Sequence, residues 1–425
     1  MKKLTGLALF FLMNFSVLFS QAYFYEPFSV NEMKTNSSSA ELSKSVDGAK
    51  IVDINFNTVN EILNKRSESI TVKLPFNGLN MQVNLHRFDI LKEGAKIVAG
   101  TPDGDVLLNR KNDFVSYTGN LNDKNSPLVV ITFFKDDVTA LVISNSETYV
   151  LAKQNTTGDF IAYQSSKLKI HNEFTCRSDE LGIPDKITEI QKNLSGNFNP
   201  NMSSALLSAT IAVESDYEFF TFWGNSVERA SNYIISLYVP VSALYTRDVN
   251  VQLQVGYLRV WSTSSDPYPD ATSSNTLLNS FRNYWNQNMQ STQRTLAHFI
   301  STRPGGLGGI AWVDVLCASG PASYGYAFSD VDGVFNQLPA YSWDCMVVAH
   351  ETGHNFGSPH THSCSWPGGP IDSCYTVEGG CYTGPQIPRV GTIMSYCHLN
   401  GSIALFFGPL PSQLIRNRAE NAGCM

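Results

Sequence analysis

The chain of 425 residues has no lysine after Lys192; beyond that point its basic residues are all arginine and the remainder is clearly acidic. With a formal net charge of -7, it lacks the positive field that nucleic acid or an anionic membrane would require of a partner. After the first two dozen residues it has no apolar run long enough to span a bilayer. The spacings of its eight cysteines allow a closed zinc site of the structural kind, but no compact Cys-x-x-Cys pair supports one. Paired carboxylates and metal-ligand spacings are missing from the first 184 residues, where His86 and His171 stand alone and read as structural.

The first segment is of another kind. Lys2 and Lys3 precede an apolar run from Leu7 to Phe19, and Ser20-Gln21-Ala22 offers small residues at a cleavage site. Met1 to about Ala22 therefore reads as an export signal, too short for a confident membrane span. A secreted, soluble protein follows, with its cysteines in an oxidising compartment.

Histidine is scarce as well, with eight in the chain, yet His350, His354, His360 and His362 fall within one short stretch. It reads His350-Glu351-Thr352-Gly353-His354-Asn355-Phe356-Gly357-Ser358-Pro359-His360. On a helix His350 and His354 share one face, so both imidazoles reach one metal. Gly357 accepts the left-handed backbone of a helix end and Pro359 forbids continuation, which turns the chain and returns His360 as a third ligand. Three protein ligands leave one position open, as in a catalytic zinc site and unlike a structural one. Glu351 lies between the first two ligands, where a general base for water belongs. Ser342 is the expected N-cap of this helix, with Asp344 near the positive end of its dipole. Cys345, on the same helix, points away from the metal and reads as core. His298, His362 and His398 are left as structural or solvent-facing.

With Thr392-Ile393-Met394-Ser395-Tyr396 downstream, this motif resembles the metzincin clan of zinc endopeptidases, and within it the reprolysin (adamalysin) family. Met394 matches the clan's Met-turn, and Tyr396 falls where some members place a tyrosine whose hydroxyl faces the oxyanion; the plain alternative is a packed aromatic. The Gly309-Ile310-Ala311-Trp312 run ending in Cys317 and a terminal helix ending in Cys424 add to the likeness. The resemblance implies an edge strand over Gly309 to Leu316 that holds an extended peptide, and a Cys317 to Cys424 bridge. Thr361 departs from the family, which usually carries Asp there. The acidic residues of the family's calcium site have no clear match near Thr210 or Thr295, so calcium is not supported.

Four segments follow: a signal at 1–22, a mainly β propeptide at 23–184, a polar linker at 185–204 and a catalytic domain at 205–425. Ile70 to Leu74, Met81 to Leu85 and Ala140 to Ile143 read as strands. Tyr117-Thr118-Gly119-Asn120 followed by Ser126-Pro127-Leu128-Val129-Val130-Ile131 resembles the reprolysin propeptide. Beyond Ser204, strands near 207–213, 249–260, 296–300 and 309–316 alternate with helices over 225–237 and 271–290. That order predicts an α/β metzincin-type fold: a mixed, mostly parallel twisted sheet with packed helices. Ile415 to Cys424 is expected as a closing helix. The Gly, Pro and Cys-rich chain from His360 to Met394 is too poor in apolar residues to pack alone, so disulfides should staple it.

These readings converge on a secreted, monomeric zymogen of a zinc endopeptidase with one Zn2+ and a protein or peptide substrate. Cys176, the one cysteine before the linker, is a candidate latch ligand that would close the open zinc position, and parity then leaves Cys345 as a free thiol. The alternatives are a non-catalytic adhesion or interaction module that keeps zinc for stability and a zinc hydrolase of small molecules. Glu351 discriminates against the first, since a structural site has no use for a carboxylate beside its ligands.

Overall fold

The structure, a computed structural model, describes residues 23–76, 82–110, 112–120, 126–144, 147–170, 174–181, 205–317, 323–335 and 338–425. The expected export signal, the linker and His171 lie outside them.

Residues 128–134 are apolar but for Thr132, and the strand Leu128–Phe134 is buried at every position. Successive side chains on a strand point to opposite faces, and here both faces are covered. Leu128, Val130 and Phe134 enter a core shared with Ala230, Ile234 and Leu237 of the helix Val227–Val249. Val129, Ile131 and Phe133 pack on the other side with Val59 and Ile62 of the helix Phe56–Lys65. The strand sits inside a ten-stranded sheet, antiparallel except where Tyr23–Tyr25 runs beside Ser69–Lys73. The N-terminal region is thus mainly β. Two helices interrupt it, however, where short strands were expected. Glu32–Leu42 and Phe56–Lys65 each begin at an asparagine, Asn31 and Asn55, whose side chain accepts from first-turn backbone N–H groups.

The second sheet has seven strands in the order Gly309–Ala311, Tyr326–Asp330, Leu296–Ser301, Leu207–Ser215, Val251–Trp261, Leu91–Thr101, Gly104–Leu108. Its pairings are parallel except at the two ends, so it is mixed and mostly parallel, as expected. Helices cover both faces: Ile211 and Val213 face the Val227–Val249 and Tyr341–Asn355 helices, and Ala212 faces Ser274–Asn288. The last two strands come from the N-terminal region. Lys96 to Gly100 pair in register with Tyr257 to Trp261, so one sheet is built from both parts of the chain.

Three expected boundaries need correction. The helix placed at 225–237 runs on to Val249, through Pro240, because every residue from Ile234 to Tyr245 is buried and packing outweighs the proline. The strand placed at 309–316 is confined to Gly309–Ala311, because Asp314 N and Val315 N leave the sheet to donate to His354 O and Asn355 O at 3.0 Å each. The closing helix is Pro409–Glu420, not Ile415 to Cys424. It opens on a proline, whose missing N–H costs nothing in a first turn, and stops short of the cysteine. Cys424 is bonded to Cys317, as the resemblance implied, and Cys364–Cys381 with Cys374–Cys397 staple the segment after His360. Cys176 and Cys345 are free and buried. Among the described residues no helix is long and apolar enough to cross a membrane.

Candidate metal centre

The helix Tyr341–Asn355 is buried at every position but Trp343. Its N-cap is Ala340, with no side-chain capping bond, and Ser342, expected in that place, lies within the first turn. Asp344 ties this end down instead. Its carboxylate accepts from Asp332 N and Gly333 N at 2.9 Å each, and from the Tyr233 hydroxyl. Burial, with Asp332 nearby, pushes this carboxyl up to about 8. Tyr245 Oη donates to Ala349 O at 3.0 Å and fixes the helix against Val227–Val249. At the far end Gly357 has φ +94°, and the reversal that follows carries His360 back.

Each of the three histidines is held through Nδ1. His350 Nδ1 meets Ile393 O at 2.7 Å, His354 Nδ1 meets Ser358 O at 2.7 Å, and His360 Nδ1 meets Glu378 Oε1 at 2.6 Å. A carbonyl or carboxylate oxygen can only accept, so each Nδ1 carries the proton and each Nε2 presents a lone pair. Those lone pairs face one another: His354 Nε2 lies 3.1 Å from both His350 Nε2 and His360 Nε2. Burial, and then the neighbouring imidazoles, hold His350 and His354 far below the usual histidine range, so both rings are neutral. Three buried lone pairs converging without a proton between them repel unless a cation lies among them. Two donors bonded at about 2.0–2.1 Å to one tetrahedral zinc lie roughly 3.3 Å apart, so this donor set fits that ion.

Glu351 is fully buried beside this centre, and burial pushes its carboxyl well up. Its Oε1 has no hydrogen-bond partner among the described residues. Gly309 of the edge strand passes directly over it, and a β-carbon there would come within 2.1 Å of Oε1. Gly309→Ala must therefore turn the carboxylate aside. The expected result is a loss of about 10²-fold in kcat, the scale of a 1 Å misplacement in an active site, with zinc content unchanged. Peptide hydrolysis read beside metal content checks it, and unchanged kcat would show that the carboxylate has room to move.

A segment of the N-terminal region occupies the cleft. Cys176 Sγ and the three Nε2 atoms all lie within 4.8 Å of one another, and Sγ is 3.4 Å from Glu351 Oε2. Burial, then Glu351, pushes this thiol well up. Cys176 pairs with Gly309 in a parallel bridge, Arg177 N donates to Gly309 O at 3.0 Å, and Ala311 N donates to Ser178 Oγ at 2.9 Å. The Tyr396 hydroxyl donates to the Cys176 carbonyl, and His398 Nε2 donates to Phe174 O at 2.9 Å. Met394 is buried under Gly353, where a β-carbon would meet its sulfur at 2.5 Å.

Of the other histidines, His298 meets Ser329 Oγ at 2.8 Å and is structural, and His86 pairs with Ser69 Oγ at 2.9 Å. His362 and His398 are buried, so the solvent-facing option for them is closed. Thr361, which departs from the family pattern, donates through its hydroxyl to the buried carboxylate of Asp372 and, at 3.2 Å, to Met394 O. Sequence reasoning passed over Gly309 as a contact of Glu351, Ser178, and above all Glu378. A signal for Glu378 existed, since it and Asp372 are the two acids between His360 and Met394.

Residues 208–406 match the family model Reprolysin_5, described as metallo-peptidase family M12. Two mouse (Mus musculus) proteins, disintegrin and metalloproteinase domain-containing proteins 1a and 1b, are each 26% identical to this chain over 167 residues, 38% of its length. The match covers 20% and 19% of those two proteins, so the chain spans about a fifth of the length of these curated relatives.

Proposed function

Since residues 208–406 belong to the reprolysin-like M12 metallopeptidases, we propose that the chain is the secreted precursor of a zinc-dependent endopeptidase, with residues 23–184 as an inhibitory leader, 185–204 as the linker and 205–425 as the enzyme. The observation that carries this is the convergence of three lone pairs, each fixed by an Nδ1 partner, beside a buried carboxylate whose Oε1 is unengaged among the described residues. A site kept for stability alone has no use for that carboxylate.

His350, His354 and His360 hold the metal. Zinc, when bound, supplies a Lewis acid that polarises a scissile carbonyl and brings the pKa of water down towards about 7. Glu351 accepts the proton of the attacking water at Oε1 and delivers it to the departing amine. The substrate lies extended along Gly309–Ala311, held by backbone hydrogen bonds in the place the Cys176–Ser178 segment now fills. Cys176, within reach of all three histidine nitrogens, closes the remaining metal position in the precursor. Met394 forms the floor of the site under Gly353.

Tyr396 donates to the developing oxyanion. It already donates to a peptide carbonyl at this spot, that of Cys176, and burial above all pushes its phenol well up, which keeps the proton in place. Tyr396→Phe is expected to lower kcat and kcat/KM together by about 10²-fold with zinc content unchanged. Unaltered kinetics would return Tyr396 to a packing role. The reading as a whole is tested by zinc content combined with cleavage of a peptide library after removal of residues up to about 204. A zinc-loaded protein that cleaves nothing would defeat it.

A further inference from the structure

Two of the three histidines donate to backbone carbonyls, but His360 donates to a charged group. Glu378 Oε1 lies 2.6 Å from His360 Nδ1 and 3.1 Å from His362 Nε2, and the two imidazoles stack with ring planes 5° apart and centroids at 5.0 Å. The proton on His360 Nδ1 needs an acceptor, and Glu378 Oε1 supplies it from behind the ring.

The backbone keeps it there. Glu378 N donates to His362 O at 3.1 Å, Cys364 N donates to Glu378 O at 2.8 Å, and Ser363 bridges Glu378 in parallel. The Cys364–Cys381 disulfide closes this short ladder, and Gly379, at φ +90°, turns the chain where a β-carbon would press on Cys364 at 3.0 Å. The carboxylate is thus fastened to the same stretch, 360 to 364, that carries the histidine it touches.

We infer that Glu378 is the positioning residue of the metal centre: it fixes the His360 tautomer and ring plane and adds negative charge behind the third ligand, and the Cys364–Cys381 loop exists to hold it at that distance. This rests on the zinc reading above. A carboxylate behind a ligating imidazole strengthens metal binding, and its loss typically costs about 10–100-fold in affinity. The three residues His360, His362 and Glu378 form no second metal site, because His360 donates through Nδ1 to Glu378 and turns its Nε2 lone pair to His354, which leaves that ring no donor atom for another ion.

The test uses the full chain and zinc itself. Zinc affinity and the rate of zinc loss to a competing chelator are measured for the wild type, Glu378→Gln and Glu378→Ala, with the melting temperature of each zinc-free chain. The expected order of retention is wild type, then Gln, then Ala, because the amide oxygen still accepts from Nδ1 but carries no charge. The Ala chain should lose about 10–100-fold in affinity while the zinc-free melting temperatures coincide. An Ala chain that holds zinc within about twofold of the wild type overturns the inference, and so does a parallel fall in the zinc-free melting temperature, which would mark a packing role. A wild-type chain that binds no zinc overturns the metal reading itself and is told apart by that measurement alone.

Discussion

Glu351→Gln is expected to keep one zinc per chain and to lose about 10²–10⁴-fold in turnover, the range that one positioned acid or base contributes. The amide matches the carboxylate in shape and remains under Gly309, but it cannot take the proton of water at Oε1. His354→Ala is expected to lose metal and hydrolysis together, because His354 is the ligand that faces both of the others at 3.1 Å. The pair of variants separates holding the metal from moving the proton. A Glu351→Gln enzyme with near-normal turnover would remove Glu351 from the mechanism.

Cys176→Ser should wake the uncleaved precursor. The segment from Phe174 to Ser178 keeps its bonds to His398, Gly309 and Ala311 in this variant, but the atom that meets the three histidines is no longer a good zinc ligand, so the segment is held less tightly and gives way to substrate more often. A gain of at least about tenfold over the silent wild-type precursor is expected, corresponding to about 1.4 kcal/mol taken from the closed state. Peptide hydrolysis by the intact chain measures it, with gel analysis to show that nothing was cut. A variant as silent as the wild type would assign inhibition to the leader's occupancy alone. The disulfides agree with the parity argument: six cysteines pair, and Cys176 and Cys345 are left as thiols.

What could be read from the sequence was whatever depends on short-range spacing. His350 and His354 are four residues apart on one helix, and Gly357 with Pro359 turns the chain, so the convergence of three imidazoles is a local matter. The alternation of strands and helices after Ser204 likewise foretold the mostly parallel sheet. What depends on distant neighbours was not legible. Ser342 has the chemistry of an N-cap, but Asp344 reaches Asp332 and Gly333 from the first turn and sets the start elsewhere. Glu378 lies 18 residues from His360 in a segment without periodicity, and a disulfide ladder rather than any local pattern brings the two together. Gly309 gave no sign that its missing side chain makes room for a carboxylate 42 residues on. The contribution of the N-terminal region to the second sheet was invisible too, because Leu91–Thr101 is an ordinary strand whose partner, Val251–Trp261, lies far along the chain.

That shared sheet bears on what a cut between the two parts accomplishes. Proteolysis within 185–204 leaves the pairings among the described residues as they are: Lys96 to Gly100 stay paired with Tyr257 to Trp261, and Leu128 and Val130 stay in the core with Ala230 and Ile234. The nicked protein is then a two-chain complex whose halves separate by a dissociation step of their own, with a rate and an equilibrium constant. If the chain is the precursor proposed above, the freed leader is a ligand that rebinds as its concentration rises, so onset of activity should lag behind cleavage, and dilution should hasten it.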